Sequence, residues 1–155
     1  MHPEQQPITG AEYHTNAPAT PRGALAQFYA AFNGSDIDLM AENWDHGDDA
    51  VMDNPIGGIA RGWDSIRPIY ERLFGGTAQI QVEFFDYTLH QYDDLFYAVG
   101  RERGALRHDG QELTLAIRTT RVFRRDGDAW RQIHHHGSMD DPDLLKKYQD
   151  LVRTK

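Results

Sequence analysis

Three consecutive histidines, His134, His135 and His136, close the apolar stretch "AWRQIHHHGS". Imidazole is the side chain that changes charge near neutral pH, moves protons and ligates transition metals. On a strand, side chains alternate between faces, so His134 and His136 share one face and His135 takes the other. By the same alternation Trp130, Gln132 and Ser138 belong with the outer pair, and Ile133 and Gly137 with His135. Two histidines at i and i+2 lie about 6–7 Å apart and can hold a metal. A zinc site of the catalytic kind needs a third ligand, and His90, Asp53 and Glu102 are available, but no spacing selects among them. No metal and no cofactor is therefore expected, with His134 and His136 read as structural and His135 as facing a pocket. The triplet is internal and continues a strand pattern, which excludes a purification tag.

The second set of residues with chemical potential is basic. Ile117, Thr119, Arg121 and Phe123 share one face of a strand, and Arg101 lies in the strand before it. An arginine among apolar residues inside a strand is costly unless an anion or carboxylate meets it. The partner is an internal acid, Asp53, Glu102 or another, or a bound anion; a surface arginine that keeps its head in water is the further alternative. Asp53 and Asn54, at the end of "AVMDNP", are the candidate acid and amide of the first strand. Tyr29, Trp44 and Trp63 are candidates for the wall or mouth of a cavity, and core packing is the competing reading for each.

These groups must be positioned by a chain of 155 residues with 39% hydrophobic and 26% charged content, which suits one globular domain. The formal charge of −8 argues against a nucleic-acid partner. The absence of cysteine excludes disulfides, cysteine nucleophiles and cysteine-based zinc sites. No run approaches the roughly 18 apolar residues of a membrane span, and residues 1–20 lack the basic and apolar regions of a secretory signal. That polar, proline-containing stretch reads as a flexible leader ahead of a domain at 21–155, and a cytoplasmic location is the expectation.

Along the domain, Thr20 caps a helix begun by Pro21, with Leu25, Phe28 and Phe32 at helical spacing. Ser35 or Asp36 caps a second, short helix. "AVMDNP" is a strand ended by Pro55. "GWDSIRPIYERLFGG" is a helix with Asp64 as its cap. From residue 79 the apolar period changes to two: "QIQVEFFDYTLHQ", "LFYAVGRERGAL", "QELTLAIRTTRVFRR" and "AWRQIHHHGS" form four strands joined by short turns. Asp141-Pro142 opens a terminal helix. Helices followed by a long antiparallel meander make an α+β domain, with a ligand cavity between the layers.

"FNGSDIDLMAENWD", "GWDSIRPIYERLF" and above all "TRVFRRDGDAWRQIHHHGS" resemble the association domain of calcium/calmodulin-dependent protein kinase II. They also resemble the wider NTF2-like superfamily, including SnoaL-like cyclases and ketosteroid isomerase, over about residues 21–139. The resemblance implies an NTF2-like cone, with N-terminal helices packed in a highly curved antiparallel sheet, and a homodimer formed through that sheet. It implies that Arg101 and Arg121 match two carboxylate-binding pocket arginines of the kinase domain. A third such arginine is replaced by Gly137, and a pocket histidine by Ile66. Aligned on ketosteroid isomerase, the base falls on Asn54, the tyrosine on Phe28 and the acid on Thr119, none of which can do that chemistry. A shift of one residue would substitute Asp53 and Tyr29. Three readings of function stay open. The first is a cone pocket binding a small organic anion or polar carbonyl compound through Arg101, Arg121, Tyr29, Trp44, Asn54, Trp63 and Thr119. The second is a SnoaL-like isomerase, cyclase or dehydratase using Asp53 and His135 as acid and base. The third is a non-catalytic self-association module.

Overall fold

The computed structural model describes residues 1–4 and 6–153. Helix α1 spans Pro21–Asn33, and the Thr20 hydroxyl accepts from the Gly23 amide, satisfying one of the free N–H groups of its first turn. Helix α2 (Ile37–Asn43) is capped in the same way by Asp36, which accepts from Leu39. Strands β1 (Val51–Asp53) and β2 (Ala60–Arg61) form a small antiparallel pair before helix α3 (Trp63–Gly75). The expected cap of α3, Asp64, lies inside its first turn; Gly62, at φ 80°, takes the capping position. The long strands β3 (Gln79–Gln91), β4 (Leu95–His108), β5 (Gln111–Asp126) and β6 (Ala129–Ser138) precede helix α4 (Pro142–Arg153).

The four long strands form the expected meander within a curved open sheet of order β2-β1-β6-β5-β4-β3. β1 pairs with β6 in parallel, and the other strand pairs of the sheet are antiparallel. The curvature has local causes. An extra residue in β3 between Phe85 and Thr88 bends that strand, with Asp86 at φ 49°. Gly100 and Gly104 of β4 let β3 close in: a Cβ on Gly104 would lie 1.9 Å from the Gln81 carbonyl oxygen. The helices fill the concave side, where Leu25, Phe28, Met40 and Trp44 meet Phe84, Phe96, Phe123 and Trp130 in one core. Among the described residues, no helix is long and apolar enough to cross a membrane.

Part of the stretch ahead of Pro21 packs on this domain. Ile8 is fully buried, and it exchanges backbone hydrogen bonds with Phe84 at 2.8 and 2.9 Å. Glu4 donates to the Tyr87 carbonyl. Ile8, set among polar residues, finds an apolar site on β3, which no local pattern in the leader announces.

Candidate functional site

Between the concave face of the sheet and helices α3 and α4 lies a cavity of about 870 Å³. This is within the range of roughly 300–1,000 Å³ that suits small-molecule sites. Its wall is largely apolar, with Phe28, Phe32, Met52, Ile69, Ile80 and Leu115. The polar groups that reach it include His135, Arg121, Glu102, Asn54, Tyr70 and Tyr148, with Glu71 and Thr77 also on its wall. Arg72 and Arg153, near the C-terminal ends of α3 and α4, also line it.

The β5 register sets the floor. Leu115, Ile117, Thr119, Arg121 and Phe123 all face inward and are buried. Opposite them, β4 turns Ala98, Gly100 and Glu102 to the same side. Arg121 is 1% exposed, yet none of its guanidinium nitrogens is left without a partner. Its Nε donates to the Tyr29 hydroxyl at 3.3 Å, one terminal nitrogen to Gln132 at 2.8 Å and the other to Glu102 at 3.1 Å. The guanidinium also lies over the Phe28 ring at 3.5 Å. Thr119 donates to the same Glu102 oxygen at 2.7 Å. On the far side Gln132 donates to Asn43, and Asn43 to Gln27 and the Ala24 carbonyl. A continuous buried polar chain thus ties the sheet to α1 and α2. Breaking such an ion pair from one side costs about 3–5 kcal/mol, because the remaining charge stays buried.

His135 differs in kind. It is 6% exposed, and neither ring nitrogen has a hydrogen-bond partner in the protein. Burial above all, then the positive charge of Arg121, holds its pKa well below the ordinary histidine value. The ring is neutral at physiological pH and offers one N–H and one lone pair. Burial pushes the Tyr70 phenol up to about 12, with Arg121 partly opposing, so Tyr70 remains a protonated donor.

The other expected residues divide. Asn54 lines the cavity, although its side-chain oxygen also accepts from the Ile56 amide in the turn after β1. Asp53 does not meet His135. In the β1–β6 pairing Met52 stands beside His135 and Asp53 beside His136, so the carboxylate is on the outer face. Arg101 is outside as well, half exposed and 3.4 Å from Asp86, because the β4–β5 register pairs it with Arg118 rather than Arg121. The two arginines matched to one carboxylate pocket are therefore on opposite sides of the sheet. Trp44 and Tyr29 are fully buried core residues, and Trp63 stacks on His46 at 5.1 Å. Trp44 and Trp63 do not line the cavity; Tyr29 and Thr119 act through Arg121 and Glu102.

Sequence reasoning placed Trp130 and Gln132 on the outer face with His134. Both point inward, because β6 carries an extra residue: Phe123 pairs with Gln132 but Val122 with His134. This bulge at Ile133 resets the alternation. Glu102 was considered as an arginine partner or metal ligand but not as a cavity residue. Its signal is its phase: it alternates with Arg101 and Arg103, in step with the inward Ala98 and Leu106. Tyr70 and Tyr148, on helix faces read as core, were missed as cavity residues.

An α+β cone of this topology, with a polar floor under an apolar cavity, defines an NTF2-like domain. Residues 22–142 match the family model of the SnoaL-like domain, and the chain belongs to that family. No curated protein matches the chain. Among solved structures, a protein from Thiobacillus denitrificans, provisionally assigned as a calcium/calmodulin-dependent protein kinase type II association domain, is 27% identical. The match covers 79% of this chain and 96% of that one, with a TM-score of 0.66. An NTF2-like protein from Streptomyces avermitilis, provisionally assigned as a dehydratase, is 20% identical over 74% and 90% of the two chains, with a TM-score of 0.68. A ketosteroid isomerase-like protein from Erwinia carotovora atroseptica is 20% identical over 83% and 100%, at a TM-score of 0.66. At 20% identity the last two likenesses establish the fold alone.

Proposed function

We propose that the protein binds a small organic molecule in the cone cavity, with an apolar body against the walls and a carbonyl or hydroxyl group at His135. The observation that carries this is the buried, neutral His135, whose two ring nitrogens have no protein partner. Buried polar atoms in native proteins are rarely left unpaired, and a ligand group or an ordered water completes the pair. Arg121 is committed to Glu102, Gln132 and Tyr29, so an anionic group on the ligand is met at Arg72 and Arg153 instead. The outer face of the sheet is where this reading places a second copy of the chain.

A second reading is proton transfer next to a carbonyl, in an isomerase, cyclase or dehydratase reaction. What favours it is a neutral imidazole in one cavity with a carboxylate, Glu102, and a protonated phenol, Tyr70. His135 would be the base and Tyr70 a donor to the oxygen; Asp53 has no part, being across the sheet.

The test is a thermal-shift and calorimetric screen with cyclic and polyketide-like ketones, hydroxy compounds and small carboxylates, on wild type and His135→Ala. A bound compound at a hundred times its Kd stabilises by about 2.7 kcal/mol. Ketone or hydroxy ligands should bind about tenfold more weakly to the variant, the loss of one hydrogen bond. Stabilisation by carboxylates alone, abolished by Arg121→Ala, would replace this reading with an anion pocket at the floor. Deuterium exchange beside the ketone carbonyl, lost in His135→Ala, would select the catalytic reading.

A further inference from the structure

The outer face of the sheet carries a second cluster, separate from the cavity. The parallel pairing of β1 with β6 sets Asp53 beside His136 and Val51 beside His134. His136 Nδ1 lies 2.7 Å from Asp53 Oδ2, and His134 Nε2 lies 3.7 Å from Asp53 Oδ1. One ligand atom from each of the three residues falls within 4.8 Å of the others.

The hydrogen bonding around His134 adds an independent observation. Its Nδ1 lies 2.8 Å from the Val51 carbonyl oxygen, which can only accept, so Nδ1 carries the hydrogen. In the neutral ring Nε2 then presents a lone pair. That lone pair faces Asp53 Oδ1, a buried oxygen with no hydrogen-bond donor. Two electron pairs facing each other across 3.7 Å leave a position between them for a proton donor or a cation. A second proton on His134 would be one solution. A metal ion satisfies both and also recruits His136, replacing the proton now between its ring and the carboxylate. A backbone carbonyl that fixes the ring tautomer from behind is the usual outer support of a metal-binding histidine.

We propose that Asp53, His134 and His136 form a two-histidine, one-carboxylate site for a divalent first-row transition-metal ion. Two imidazoles favour zinc, cobalt, nickel or iron over the oxygen-seeking calcium and magnesium. The side chains of Asp53, His134 and His136 are 25%, 35% and 58% exposed in the single chain, so an ion can reach them from solvent. The site depends on the β1–β6 register and not on any ligand in the cavity.

Calorimetric titration of the full chain with zinc chloride tests the proposal. One equivalent should bind, and His134→Ala, His136→Ala and Asp53→Asn should each weaken it by about tenfold or more. His90→Ala, on β3, should leave it unchanged. Circular dichroism establishes that each variant is folded. A measurement on wild type alone guards against an unfolded variant: substoichiometric cobalt(II) should perturb the imidazole signals of His134 and His136 before those of His46 and His90. Equal affinity in the ligand variants, cobalt effects centred on other histidines, or a Kd weaker than about 1 mM would overturn the site.

Discussion

The histidine triplet shows how far a single alternation of side chains can divide chemistry. His135 enters the largely apolar cavity, while His134 and His136, one residue away on either side, share Asp53 on the opposite face. The buried ring has a consequence for stability. Its folded pKa lies well below 6.5, mainly through burial, so as pH falls through 6.5 the unfolded chain takes up a proton that the folded chain refuses. Above that pH both states are neutral there and His135 contributes no pH dependence. Below it, stability should fall by up to about 1.4 kcal/mol per pH unit on account of this residue. Urea unfolding at pH 7.5, 6 and 5 checks this: His135→Leu should lose distinctly less stability on acidification than wild type. Equal losses would mean that the ring protonates freely in the folded protein.

At the scale of elements, the caps of α1 and α2, the short first strand and the four long strands were legible, because period, cap residues and Asp-Gly turns agreed; the cap of α3 was not, since Gly62 and not Asp64 holds it. What failed was local and physical. The extra residue at Ile133 reverses the phase of the first half of β6, and no residue type marks it, so Gln132 was assigned to the wrong face. The packing of Ile8 was illegible for the opposite reason. One buried isoleucine in a polar segment has no periodicity, and only its partner on β3 reveals it. Ile8→Ala should therefore destabilise the domain by about 2–5 kcal/mol, the cost of truncating a core side chain, as read by urea or thermal unfolding. A change within about 0.5 kcal/mol, typical of a surface site, would show that residues 1–20 do stand apart.

The whole molecule is a curved sheet with two differently equipped faces. The concave face holds the cavity and the buried Glu102–Arg121 pair. The outer face holds the Asp53 cluster and a groove of about 460 Å³ lined by Val99, Arg101, Arg118, Thr120 and His136. Val99, 42% exposed, is among the few large apolar side chains open to solvent in the described residues, and it lies on the face through which we propose that two copies pair. Light scattering should give a mass near twice 17.7 kDa, reduced to the monomer by Val99→Glu. A monomeric wild type would remove the sheet-mediated dimer from the reading.

The sequence by itself determined the class of fold, the order and bounds of nearly all its elements, and the inward phase of Arg121 on β5. These are properties of short windows, in which side-chain periodicity and turn chemistry act locally. Only the tertiary structure decided which groups meet. The β4–β5 register puts Glu102, not Arg101, on the same face as Arg121, within side-chain reach, and so turns a candidate anion receptor into a neutralised pair. The parallel β1–β6 register sends Asp53 away from His135 and towards His134 and His136. Both outcomes hang on pairing between segments far apart in the chain, where a displacement of one residue exchanges the faces of the sheet.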